Sequence, residues 1–219
     1  MLWGPPGAGK GTQAKRWEAT LKLRQLSTGD LVRAEIAAQT SLGKEIQKIV
    51  EQGDLPGDDL IISLMRQNLR QYGQGVIFDG FPRTLYQAVI LDQLVTDGEV
   101  EAPCVVSLRV DENVLVSRIA GRVVCATCGA IYSDVNPSKK QGVCDACGGK
   151  ELMTRKDDAP ETVRHRFKVY KEKTEPLLAY YADKGSLVEV DGMQLPQEVE
   201  RQLNQVLSRE MDKKASILR

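Results

Sequence analysis

The chain has 219 residues, 42% of them hydrophobic, which suits one sizeable domain with small insertions. Thirty basic and thirty acidic side chains cancel, which argues against a general nucleic-acid binder. No apolar run approaches a membrane span, no leader is expected ahead of the first motif, and four of the five cysteines fall in two Cys-x-x-Cys pairs, a metal pattern that makes a cytoplasmic location the default.

The first predicted strand is residues 1–3. The run Gly4-Pro5-Pro6-Gly7-Ala8-Gly9-Lys10-Gly11-Thr12 follows it and leads into a helical pattern. Its glycines let backbone N–H groups wrap a phosphate chain, Lys10 can reach the outer phosphates, and the next helix puts its positive end beneath them. The Gly-x4-Gly-Lys core fits the P-loop pattern, with Gly11 where a hydroxyl usually stands and Thr12 one place later.

Further strands are predicted at residues 23–27, 75–79, 104–110 and 186–190, with helical periodicity between them. Asp58 or Asp59 can cap a helix carrying Ile61, Leu64, Met65 and Leu69, and Val199, Leu203, Val206 and Leu207 form one face of a C-terminal helix. Alternating strands and helices predict an α/β fold with a doubly wound parallel sheet of five strands and helices on both faces. Ligands in such folds bind beyond the carboxyl ends of the strands, where the P-loop lies.

Two stretches look inserted, a mostly helical one from about residue 27 to 56 and a Gly-, Cys-, Asp- and Lys-rich one from about 122 to 155. The second carries Cys125-Ala126-Thr127-Cys128 and Cys144-Asp145-Ala146-Cys147, fifteen residues apart. This is tetrahedral zinc spacing, and four thiolates leave no open position for a catalytic water. The fifth cysteine, Cys104, lies in an apolar strand and reads as a core thiol.

Asp79-Gly80-Phe81-Pro82-Arg83-Thr84 follows the third strand. An acid at that edge can orient water around Mg²⁺, and Arg83 offers a planar fork for phosphate. Arg118 and Arg122 are four apart on a helix beginning near Glu112 and would share one face. Arg155, Arg164 and Arg166 follow the cysteine unit, and together these arginines read as a cage for phosphate. Asp157 and Asp158 could pair with them or cap the helix starting near Pro160. The single histidine, His165, reads as a solvated side chain.

Together these residues resemble adenylate kinase, the nucleoside monophosphate kinase with a long lid. The resemblance rests on Gly4 to Thr12, Ser27-Thr28-Gly29-Asp30 with Arg33, Asp79 to Thr84 with Gln87, Arg118 to Arg122, Thr154-Arg155-Lys156-Asp157-Asp158, Glu161-Thr162-Val163 with Arg166, and Asp191-Gly192. The family's own P-loop reads Gly-Lys-Gly-Thr. The chain departs from the family in its three-residue first strand and in segment 17–24, which lacks the usual glycine-bearing turn.

The resemblance implies a P-loop core of residues 1–26, 57–121 and 156–219, an AMP-binding insertion at 27–56 and a zinc-bearing ATP lid at 122–155. Gly7, Ala8, Gly9, Lys10, Gly11 and Thr12 would hold ATP phosphates, and Arg118, Arg122, Ile131, Tyr132 and Gln194 would also contact ATP. Thr28, Arg33, Asp54, Leu55, Pro56, Gly80, Phe81, Pro82, Arg83 and Gln87 would hold AMP, with Arg155 and Arg166. Asp79 would hold Mg²⁺ through water, and Lys10, Asp79 and the arginines at 83, 118, 122, 155 and 166 would carry catalysis. Cys125, Cys128, Cys144 and Cys147 would bind structural Zn²⁺. The implied reaction is ATP + AMP ⇌ 2 ADP, run by a monomer without nucleic acid or membrane. The alternatives are a kinase for another nucleoside monophosphate, a zinc-ribbon ATP switch that binds nucleic acid, and a P-loop protein that binds nucleotide without turnover.

Overall fold

The computed structural model describes residues 1–21, 23–72, 75–133 and 136–217. Five parallel strands form one sheet: β1 (Leu2–Trp3), β2 (Arg24–Ser27), β3 (Val76–Asp79), β4 (Val105–Arg109) and β8 (Leu187–Asp191), in the order β2-β3-β1-β4-β8. Each strand falls within a residue or two of its expected limits. Cys104 lies just ahead of β4 rather than within it, and it packs against one of the cores while only half-buried.

Successive strand residues point to opposite faces, so the strands other than β2 feed two cores, while edge strand β2 buries Leu26 alone. Trp3, Leu26, Phe78 and Val105 enter one core, with side chains from α2 (Thr28–Ala37), α3 (Ser41–Gln52), α4 (Asp58–Tyr72), α5 (Leu85–Thr96) and α8 (Leu177–Asp183). Leu2, Ile77, Val106 and Leu108 enter the other, with α1 (Lys10–Leu21), α6 (Glu112–Ala120), α7 (Pro160–Val169) and α9 (Pro196–Ile217). Such double burial is what a parallel sheet requires.

The central strand β1 is only two residues long. Leu2 pairs with Asp79 on one side and Val106 on the other, and Trp3 pairs with Ser107. Even so, Leu2 is fully buried, and Trp3 meets Tyr181 edge-on at 5.0 Å.

Three expected helix details differ. Asp58 opens α4, but its carboxylate accepts from Thr84 Oγ1 and Gln87 Nε2 instead of capping the helix. Asp157 and Asp158 lie in a short 3₁₀ turn and do not cap α7, whose N-terminus carries no side-chain cap. Helix α6 ends at Ala120, so Arg122 stands beyond it and shares no helix face with Arg118.

The cysteine unit folds as a separate antiparallel sheet of β5 (Val123–Cys125), β6 (Ile131–Tyr132) and β7 (Leu152–Met153), in the order β6-β5-β7. Among the described residues its buried hydrophobic cluster is Cys125, Tyr132 and Cys144, far short of an independent apolar core.

Candidate active site

The P-loop leaves β1 at the carboxyl edge of the sheet. Gly7 and Gly9 take φ +81° and +93°, and a Cβ on Gly7 would lie 2.8 Å from Ile119 Cγ1. At Gly7, therefore, both backbone conformation and space demand glycine. Helix α1 begins at Lys10 and presents its N-terminal N–H groups to the adjoining cavity. Lys10 folds back over the loop, donating to Gly4 O at 2.7 Å and Pro5 O at 3.0 Å.

Two cavities, of about 270 and 130 Å³, meet at this point. The larger is lined by Gly7 to Thr12, Asp79, Arg118, Arg122, Ile131, Arg155 and Gln194. The smaller is lined by Thr28, Asp54, Leu55, Pro56, Gly80, Pro82 and Gln87. Lys10, Arg33, Arg83 and Arg166 line both. Phe81 and Tyr132 line neither; Phe81 packs against Phe78, 6.1 Å between centroids, and Arg155 lines only the larger cavity.

The cations crowd one another. Burial pushes the Lys10 ammonium down to about 7; Asp79 opposes the shift, and Arg83, Arg166 and Arg122 reinforce it. Burial likewise brings Arg83 and Arg155 down to about 10 and lowers Arg166. Such a cluster is complemented by a polyanion carried in from solution.

Only part of that charge is met by protein. The Asp158 carboxylate takes Arg122 side-on, with Nε at 2.8 Å and Nη2 on the second oxygen, and also accepts from Arg166 at 3.2 Å. Asp157 takes Arg166 at 2.8 Å. Arg118 donates to Gly192 O at 3.0 Å, and Arg83 Nε to Gly80 O at 2.7 Å. Arg164 is exposed, outside both cavities. His165 is not simply solvated: its Nε2 lies 2.7 Å from Asp54 Oδ1, joining α7 to the end of α3.

Two glutamines hold neighbouring residues in place, Gln25, not singled out from sequence, and Gln87, expected there as an AMP contact. Gln25 on β2 donates to Asp79 Oδ2 at 2.7 Å. Gln87 accepts from Arg83 N at 2.8 Å and donates to Asp58 at 2.7 Å, which leaves its amide one more N–H and one more lone pair.

The four cysteine sulfurs lie within 4.8 Å of one another, with Cys125–Cys147 at 3.6 Å and Cys128–Cys144 at 3.5 Å. Thiolates about 2.3 Å from one tetrahedral centre would be about 3.8 Å apart, so spacing and donor type both fit a structural Zn²⁺. Each pair sits on a tight turn closed by Gly129 N to Cys125 O and Gly148 N to Cys144 O, both 2.9 Å.

The model of the adenylate kinase family matches residues 2–186. The adenylate kinase of Paracoccus denitrificans is 45% identical over 210 residues, 95% of this chain and 96% of that protein. The adenylate kinase of Allorhizobium ampelinum is 43% identical, covering 95% and 98%, and that of Archaeoglobus fulgidus 43%, covering 95% and 97%.

Proposed function

The chain belongs to the adenylate kinase family, and on that premise we propose that it transfers the γ-phosphoryl group of ATP to AMP, reversibly, giving two ADP. The observation that carries this reading is the meeting of two unequal cavities at Lys10, Arg33, Arg83 and Arg166. Two anionic substrates entering from opposite sides would bring their phosphates together among these cations.

In this reading ATP occupies the larger cavity, its phosphates on the P-loop amides and Lys10, its base beside Arg118 and Gln194. AMP occupies the smaller, held by Thr28, Arg33, the turn at residues 54–56, Gly80, Arg83 and Gln87. An oxygen of the AMP phosphate attacks the γ-phosphorus, and the bond to the β-phosphate oxygen breaks with ADP leaving in line. The acceptor is already an anion, so no general base is needed. Catalysis rests on alignment and on charge neutralisation by Lys10 and the arginines. Mg²⁺ bound with ATP would neutralise phosphate charge, and Asp79, oriented by Gln25, suits an outer-sphere role toward it. Segment 122–155 would serve as a lid that excludes water and segment 27–56 as the AMP-binding part, with residues 1–26, 57–121 and 156–219 as the core.

No helix among the described residues is long and apolar enough to cross a membrane. The enzyme would act as a cytoplasmic monomer without nucleic acid. A coupled assay of ADP formation from ATP with AMP, UMP, CMP or GMP tests the reading. Turnover with AMP far above the others is expected, and turnover with none of them would overturn it.

A further inference from the structure

We propose that the Tyr132 hydroxyl is an outer-sphere partner of the metal held by the four cysteines, donating its proton to the Cys144 sulfur and tying the metal to the strand that faces the nucleotide cavity. The proposal rests on the four-cysteine site holding Zn²⁺.

Three observations carry it. First, Asp145 N–H donates to the Tyr132 oxygen at 2.7 Å, which directs the hydroxyl proton elsewhere, and Cys144 Sγ lies 3.2 Å away. Tyr132 is 7% exposed and Cys144 1%, so water does not offer the proton an easy alternative. Second, the sulfurs are unequally supported. Cys144 is 1% exposed and meets the phenol, whereas Cys147 is exposed. Third, Tyr132 and Ile131 are adjacent on β6, so their side chains leave opposite faces. Tyr132 meets the cysteine cluster; Ile131 lines the larger cavity, its Cδ1 3.5 Å from where a Cβ on Gly11 would stand. One hydrogen bond thus joins the metal shell to the strand lying over the P-loop. Hydrogen bonds to ligand atoms orient them and reduce the negative charge the metal must neutralise.

The test uses the full chain and two variants. Replacing the ring by Tyr132→Phe keeps the packing and removes the hydroxyl. In competition with a chromogenic chelator, its zinc affinity is expected to fall about 10- to 100-fold. With Co²⁺ in the site, the sulfur-to-cobalt charge-transfer band is expected to move to lower energy, because a thiolate without its hydrogen bond is easier to oxidise. Inserting 3-fluorotyrosine at position 132 gives a stronger donor in the native fold and is expected to move the band the other way, which covers a Phe variant that fails to fold. An unshifted band in both variants overturns the proposal even if affinity falls, since looser packing alone would lower affinity. A wild-type chain that takes up no zinc also overturns it, and that result, needing no variant, separates failure of the metal site from failure of the tyrosine's role.

Discussion

Asp158 grips Arg122 side-on, through Nε and Nη2, across the neck of the cysteine-bearing segment, 36 residues apart in sequence. The two chain ends of that segment are thereby clamped by one buried pair, the Asp158 side chain 4% exposed and that of Arg122 13%. The carboxylate also meets Arg166, so a single anion separates two cations that would otherwise repel.

Removing that anion leaves the buried Arg122 guanidinium unpaired and Arg166 with Asp157 alone. Asp158→Ala is expected to lower stability by about 3–5 kcal/mol. ATP should restore part of the loss, because its phosphates can meet the same guanidinium groups. Urea midpoints with and without ATP check this, and an unchanged midpoint in the absence of nucleotide would refute the clamp.

Lys10 lines both cavities and rests on two loop carbonyls. Lys10→Met keeps the stem and removes the charge. ADP formation is expected to fall by at least ~10²–10³-fold, the scale of losing one preorganised donor to a developing charge. The fold should persist, since the change also removes a crowded cation. Near-normal turnover in a folded variant would contradict the assignment.

Lys10 also sets a pH dependence. Its ammonium is lowered by burial to about 7 from 10.5, so between those values the unfolded chain binds more protons than the native one. Stability of the nucleotide-free protein should therefore rise with pH from about 7 to 10.5, having carried the full cost of the buried charge below 7. A bound polyphosphate restores the proton, so ATP binding at pH 8.5 should take up a fraction of a proton. Calorimetry in two buffers of different ionisation enthalpy measures that uptake, which Lys10→Met should abolish. Equal heats in the two buffers for the wild type would sink this prediction.

Arg83 stands where the acceptor would approach, its Nε on Gly80 O, its N–H on Gln87 and its carbonyl accepting from Thr174. Arg83→Ala is expected to raise the KM for AMP by at least ~10-fold, from about 1.5–3 kcal/mol for a charge-assisted hydrogen bond. The KM for ATP should move less. An unchanged AMP saturation curve would mean that the acceptor sits elsewhere.

Much of the fold was legible because strands buried on both faces read as short apolar runs, and because the P-loop and the paired cysteines are local patterns. The strands of the cysteine unit escaped notice since two or three residues, as in Ile131–Tyr132, carry no usable alternation. Gln25, Asp58 and Tyr132 were illegible as supports. Gln25 acts on Asp79 from 54 positions away and Asp58 on Gln87 from 29, through side chains that any surface helix or strand could carry. Tyr132 was read as an ATP contact, while its side chain turns to Cys144, because which face of a two-residue strand meets the metal depends on the turns around it. The arginine cage was visible as a composition bias. Its sharing between two cavities was not, since that depends on where β3, α2 and α7 end relative to the P-loop.

Among the described residues the cysteine unit has too few buried apolar side chains to hold itself together, so metal binding would supply much of its folding energy. Replacing both Cys144 and Cys147 by serine should remove the metal and lower the thermal midpoint by roughly 5 °C, the shift expected for a loss of about 2 kcal/mol in a chain of this size. The charges assigned to catalysis lie on Lys10 and on arginines outside the sulfur shell, and four protein ligands leave the metal no open position. Activity well below the midpoint should therefore largely persist after substitution or chelation. Metal content by mass spectrometry and ADP formation after chelation check both halves. A native protein without metal would refute the site. Complete loss of activity while the unit stays folded would make the metal catalytic, against the closed geometry of its four thiolates.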